Sequence, residues 1–166
     1  MSLREIVLWP DDRLSQMCTP VGEITEDVRG LAQDMLDTMY AAPGRGLAAP
    51  QVGVLARLFV MDPSWKEGTP APVVCINPNL VWHSDATVVS SEGCLSLPGV
   101  TADVPRAETV RMVWTDLDGV VQEAELTGFA ALCAQHEIDH LDGLMTLDRL
   151  ADADRDRLLA AYEAAR

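Results

Sequence analysis

The sequence predicts an α+β fold, antiparallel or mixed sheets combined with helices, and three stretches carry that reading. Val28, Leu31, Ala32, Met35 and Met39 recur at helical spacing, which predicts one buried helix face. From Thr109 to Thr115, Val110, Met112 and Trp114 fall on one face of an alternating strand, and Asp116-Leu117-Asp118-Gly119 then turns the chain back. From Thr127 to Leu141 an apolar run carries helix-forming residues up to Asp142-Gly143. Helix, several strands, helix, helix is not the regular alternation that a parallel sheet requires.

The elements follow in order. Pro10-Asp11-Asp12 marks an early turn, and Thr25 is placed to cap a helix reaching about Tyr40. Pro43-Gly44 ends it. The stretch from Gly44 to Gly53 is too broken by glycine and proline for a regular helix. Leu58 to Met61 reads as a buried strand, Asp62 to Pro72 as a polar loop, and Val73 to Ile76 as a short strand closed by Asn77-Pro78-Asn79. Ser84 to Gly93 reads as a polar connection around Thr87-Val88-Val89. Val120 to Leu126 returns as the second arm of the hairpin, with Gly119 suited to the left-handed position of its turn. The alanine-rich tail from about Asp152 to Arg166 reads as helix. No repeat and no interior linker divides residues 1–166, so one domain is expected.

Composition bounds the function. A formal net charge of -14 supplies no broad basic surface for a phosphate backbone, which argues against DNA binding. No apolar run reaches the roughly 18 residues of a membrane span, and Met1 to Pro10 lacks the shape of a signal peptide. The expected location is therefore cytoplasmic, where Cys18, Cys75, Cys94 and Cys133 stay reduced.

The chemistry is concentrated in His136-Glu137-Ile138-Asp139-His140. On a helix, residues four apart share a face, so both imidazoles can address one metal ion. Glu137 need not be a ligand; it can serve as the base toward an attacking water. The surrounding helix is otherwise apolar, and two of the three histidines of the chain sit here. Two histidines leave the ligand set short by one. Cys94, in Glu92-Gly93-Cys94-Leu95-Ser96, is a candidate third ligand, but Cys18, Cys75 and Cys133 compete with it on composition alone.

Three coupled stretches then carry a resemblance. Gly44-Arg45-Gly46-Leu47-Ala48-Ala49-Pro50-Gln51, Glu92-Gly93-Cys94-Leu95-Ser96 and Gln135-His136-Glu137-Ile138-Asp139-His140 resemble, in order and spacing, the motifs of the peptide deformylases. The likeness spans nearly the whole chain and implies that family's fold, sheets around a central metal-binding helix. It implies that Cys94, His136 and His140 hold the metal, Fe2+ natively, with Zn2+, Ni2+ or Co2+ accepted by the same ligands. It makes Glu137 the catalytic acid/base and gives the oxyanion the Gln51 side chain and the Leu95 backbone N–H. Gly46 then lies in the segment guiding the peptide, Cys133 lines the pocket for the first side chain, and Glu92 with Arg106 forms a bracing ion pair. The implied reaction is water attack on the formyl group of formyl-methionyl polypeptides, releasing formate. N-formylated nascent chains become the partner, with at most transient ribosome contact, since the tail is not strongly basic.

Two positions depart from the family pattern. Arg45 replaces the usual apolar residue beside the methionine pocket. It is read as a solvent-facing head on a packed stem, or as a partner for an acid on enzyme or substrate. Met145-Thr146 replaces a common Leu-Phe pair, which predicts a modest repacking. Arg45 motivates the alternative of a divergent deformylase-like paralogue with altered N-terminal residue preference. A metallopeptidase and a metal-binding paralogue without activity are the rivals from other classes. Trp9, Trp65, Trp82 and Trp114 are read as packing or surface anchors and His83 as a surface histidine.

Overall fold

The computed structural model describes residues 2–166. Helix α1 spans Glu26–Ala41, α2 spans Gly128–Leu141 and α3 spans Asp152–Ala165. The strands are β1 (Gly46–Ala48), β2 (Leu58–Met61), β3 (Val73–His83), β4 (Thr87–Cys94), β5 (Leu97–Ala107), β6 (Thr109–Thr115) and β7 (Val121–Thr127). Five strands form an antiparallel sheet in the order β1-β2-β3-β6-β7, and β4 with β5 forms a separate antiparallel hairpin. A lone parallel bridge joins Thr19 to Ala56.

Three apolar clusters hold these parts together. Helix α2 packs on the large sheet through Cys133, Ala134, Ile138 and Leu141, which meet Phe59, Met61, Cys75 and Met112. The predicted stripe of α1 delivers Leu31, Ala32, Met35 and Met39 to Leu47, Leu58, Val60 and Ile76. Leu158 and Tyr162 of α3 cover Leu97, Ala102 and Val104 of β5. Each buried side chain of this size contributes about 1.5–3 kcal/mol before entropy. Helix α2 is thereby held between the five-stranded sheet and the β4–β5 hairpin, and the site forms on that seam.

The ends of the helices follow partly from their caps. Thr25 Oγ1 accepts from the Val28 N–H at 3.3 Å, as expected. Thr127 makes no such bond; α2 begins instead at Gly128, whose φ of 57° turns the chain out of β7. At the far end Gly143 has φ 80°, and the Leu144 N–H closes on the Asp139 carbonyl at 2.8 Å. A Cβ on Gly143 would stand 2.9 Å from the Ser15 carbonyl carbon, so the turn also needs the space.

Two expectations require correction. The segment from Val73 does not stop at Ile76 but continues as β3 to His83. Pro78 cannot donate to a ladder, and the strand absorbs it through register shifts between Ile76 and Asn79 and between Leu80 and Trp82. Asn77 takes φ 50°, and its side chain bonds both backbone polar groups of Val21 at 2.8 Å. The stretch from Ser84 to Gly93 is not a loop: most of it is β4, and β5 has no counterpart in the sequence reading. β4 is largely exposed, so it shows no hydrophobic alternation. In β5 the buried series Ala102, Val104, Arg106 includes a charge, which hides its period of two. Pro98 and Pro105 are tolerated because a two-stranded sheet leaves one edge of each strand unpaired. Between Gly44 and Gly53, as expected, there is no regular helix, only β1 and a 3-10 turn over Ala49–Val52. Thr146 is buried at the start of the 3-10 turn Thr146–Arg149, which sends Met145 and Leu147 into the α3 cluster.

Candidate metal centre and substrate cleft

The donor atoms come from two elements. His136 and His140 stand one turn apart on α2, and Cys94 ends β4, where Leu95 and Ser96 make the two-residue turn into β5. Among the described residues this is the one group of three metal-ligating side chains whose donor atoms converge, all within 4.8 Å of one another. Cys94 Sγ lies 3.5 Å from His140 Nε2, and the two Nε2 atoms are 3.2 Å apart. A tetrahedral ion with metal–sulfur bonds near 2.3 Å and metal–nitrogen bonds near 2.0 Å would set these edges at about 3.5 and 3.3 Å. The residues therefore fit a metal. Cys18, Cys75 and Cys133 are outside this group, and all four cysteines are free of disulfides.

The protonation logic agrees. His136 Nδ1 faces Glu92 Oε1 at 2.9 Å, which fixes the proton on Nδ1 and leaves Nε2 free as a ligand. Burial opposes a charge on His136. Glu137, Cys94 and Glu92 nevertheless hold its pKa well above the ordinary value. The buried His140 beside it is held well below.

A buried ionic chain stands behind His136. Arg106 grips Glu92 with two bonds, Nε to Oε2 at 2.6 Å and Nη2 to Oε1 at 2.9 Å. Its Nη1 reaches Asp139 Oδ2 at 2.9 Å, and Arg149 closes on the two oxygens of Asp139 at 2.6 and 3.0 Å. The Glu92–Arg106 pair had been expected. Asp139 and Arg149 were missed. Asp139 lies in the histidine motif, three residues after His136, and the spacing could have flagged it; Arg149 had no sequence signal.

Glu137 is buried, and its Oε1 has no hydrogen-bond partner among the described residues. Burial pushes its carboxyl up to about 7, against the opposing pull of His136 and Arg106. Gly46 explains how β1 comes so close: a Cβ there would stand 2.5 Å from Glu137 Oε2 and 2.9 Å from Cys133 Sγ. Gln51 is oriented from both ends. Its Oε1 accepts from the Ala48 N–H at 3.0 Å, so Nε2 faces Ser96 Oγ at 3.1 Å and Cys94 Sγ at 3.6 Å. Ser96, which aims this amide, is a further residue that sequence reasoning missed.

These groups line one cleft of about 450 Å³, with the Gly44–Gly46 segment on one side, the turn at Leu95 on the other, and His136, Glu137 and Cys133 inside. Cys133 is wall and not ligand; its buried thiol is held well above the ordinary range and points to the Arg45 carbonyl at 3.7 Å. The Arg45 head pairs within the protein, with both Glu67 oxygens at 2.5 and 2.8 Å and the Pro63 carbonyl at 2.5 Å, and it lies over the Phe129 ring at 5.2 Å. His83 is exposed and outside the donor group. No helix among the described residues is long and apolar enough to cross a membrane.

Comparisons with known proteins agree with this geometry. The family model described as polypeptide deformylase matches residues 3–156. The chain is similar to a peptide deformylase of Afipia carboxidovorans, 47% identical over 99% of this chain and 96% of the relative. It is similar to one of Rhodopseudomonas palustris BisB5 at 47% identity, covering 99% and 95%. Among solved structures it superposes on a Legionella pneumophila peptide deformylase with TM-score 0.93 at 38% identity, covering 99% and 95%. An Ehrlichia chaffeensis peptide deformylase in complex with actinonin gives 0.92 at 38%, covering 100% and 99%. With a matching family model over most of its length and the same fold throughout, the chain belongs to the peptide deformylase family.

Proposed function

We propose that this chain is a metal-dependent hydrolase that removes the N-formyl group from formyl-methionyl polypeptides and releases formate. The observation that carries the reading is the convergence of Cys94, His136 and His140 beside a buried carboxyl with one free oxygen. Cys94, His136 and His140 would hold the ion, which when bound supplies Lewis acidity toward the formyl carbonyl and toward water. The mixed thiolate and imidazole donors suit Fe2+, our reading of the native metal, and also Zn2+, Ni2+ or Co2+.

The remaining steps belong to the side chains. Glu137 takes a proton from the attacking water on its carboxylate and delivers it to the departing amine. A carboxyl whose pKa is pushed up to about 7 can do both near neutral pH. Gln51 Nε2 and the Leu95 N–H donate to the oxygen as it gains charge. Gly46 lets the substrate backbone pass close to Glu137, and Cys133 bounds the space for the first side chain.

Arg45 bears on substrate preference. Its guanidinium is spent on Glu67 and Pro63, so it does not offer a free charge to the first side chain. That supports an ordinary formyl-methionine preference over the shifted preference its presence suggested. We further propose a cytoplasmic, co-translational setting with transient ribosome contact and no role for DNA or membrane. In α3, Arg157 pairs with Asp154, and Arg166, just beyond the helix, pairs with Glu163, which leaves little basic surface there.

Formate release from formyl-Met, formyl-Leu and formyl-Asp tripeptides by anaerobically purified protein tests the reading. Release led by formyl-Met and abolished by a chelator is expected. Absence of release from every peptide by metal-loaded protein would overturn it, and cleavage of an internal peptide bond would favour a peptidase.

A further inference from the structure

The loop from Asp62 to Pro72 is fastened to the substrate side of the molecule by six separate contacts. The Tyr40 hydroxyl donates to Asp62 Oδ2 at 2.6 Å, and the Asp62 N–H donates to the Arg45 carbonyl at 2.9 Å. The Trp65 indole N–H donates to the Gly44 carbonyl at 2.8 Å, and the Tyr40 and Trp65 rings meet edge to face at 5.2 Å. The Arg45 head clamps Pro63 and Glu67. This ties an otherwise polar loop to the segment that guides the substrate.

The clamp places Lys66 on the lining of the cleft, its Nζ over the anchored Trp65 ring at 5.6 Å. Lys66 is the single lysine of the chain. Its neighbour Glu67 commits both oxygens to Arg45, and no carboxylate among the described residues pairs with the Lys66 ammonium. Of the other charged groups on the cleft wall, Arg45 pairs with Glu67 and Glu92 with Arg106, while His136 and Glu137 belong to the metal centre. Lys66 therefore lies on the lining of the cleft as an exposed cation with no ion-pair partner among the described residues, in a chain of net charge -14. The diffuse negative charge is screened beyond about 10 Å at 0.1 M salt, whereas a carboxylate within a few ångströms of Lys66 is screened much less.

Position along the cleft follows from the strand. Gly46 touches the catalytic carboxyl, and Gly44, which Trp65 holds, is two residues away, at most about 7 Å along the chain. An extended peptide advances about 3.3 Å per residue. The geometry points to Lys66 as a specificity-determining residue that favours formyl-methionyl peptides carrying Asp or Glu at the second or third position, with Arg45 as the clamp that presents it. This inference rests on the function proposed above.

The test compares kcat/KM for formyl-Met-Asp-Ala, formyl-Met-Ala-Asp and their Ala-Ala parent, each amidated at the C-terminus, using metal-loaded protein. Exposed pairs of this kind support a preference of about two- to fivefold. The ratio of acidic to neutral peptide should exceed one, shrink in 0.5 M salt, fall to about one in Lys66→Ala and invert in Lys66→Glu. Arg111→Ala removes a cation over Trp82, outside the cleft, and should keep the ratio. A ratio of one or less in the parent protein, or a preference that survives Lys66→Ala, overturns the inference while formate release upholds the function. No formate from any peptide overturns both.

Discussion

The cleft is braced at two places by the same chemistry, a guanidinium gripping a carboxylate with two bonds, and the two braces differ in burial. At the inner end the side chains of Arg106 and Glu92 are 4% and 9% exposed, and the pair continues to Asp139 and His136. At the outer end Arg45 and Glu67 are 26% and 62% exposed and hold a loop. The inner pair has no water to fall back on, so each partner is obligatory to the other. The outer pair is screened and replaceable, so it can tune what the cleft accepts without deciding whether the protein folds. Chemistry is assigned to the buried brace and selectivity to the exposed one.

The largest effect should come from the carboxyl that the inner brace surrounds. Glu137→Gln should keep its metal and lose about 10²- to 10⁴-fold in kcat, measured by formate release with metal analysis of the same sample. Gly46→Ala should lose activity of similar order, because its methyl must displace Glu137 Oε2; an unchanged kcat would mean that β1 has room to retreat. Next come Glu92→Ala and Arg106→Ala, each leaving a buried charge without its partner. A loss of about 3–5 kcal/mol in unfolding free energy is expected, with metal affinity down about 10- to 100-fold for Glu92→Ala, which also frees His136 Nδ1. Arg45→Ala should instead shift Tm by no more than about 3 °C and act on KM more than on kcat. An equal loss in the two braces would erase the distinction.

The smallest effect concerns a thiol away from both. Burial pushes the Cys18 thiol up to about 11, with Arg57 opposing and Asp142 assisting. A raised thiol pKa means less thiolate at a given pH, so alkylation of Cys18 should stay slow at pH 8 and accelerate only as pH approaches 11. Labelling at the rate of an open thiol at pH 8 would contradict this burial.

What the sequence made legible tracks the same contrast. The α1 stripe and β6 were readable because one apolar period runs through each, the metal helix because its two histidines stand four apart in an apolar run, and β7 because a turn at Gly119 precedes it. Cys94 could not be separated from three other cysteines by composition; it took the motif resemblance, and then the fold, to bring it within 3.5 Å of His140. β4 and β5 were missed because their exposed or charged positions follow the site and not a core, as Arg106 does in β5. Arg149 lies ten residues beyond Asp139, and only the turn at Gly143 brings the two together. Arg45 was legible as a departure from pattern, but its partner Glu67 lies 22 residues on, beyond β1 and β2 in a loop with no periodicity.

The central claim is that Cys94, His136 and His140 hold one catalytic ion for deformylation. Cobalt-loaded protein tests it most directly, by metal stoichiometry, thiolate-to-cobalt absorption and formate release from a formyl-Met peptide on one sample. One ion per chain, a thiolate band and formate release are expected, with the band absent in Cys94→Ala. A band that survives Cys94→Ala, or one ion bound with no formate released, would contradict the account.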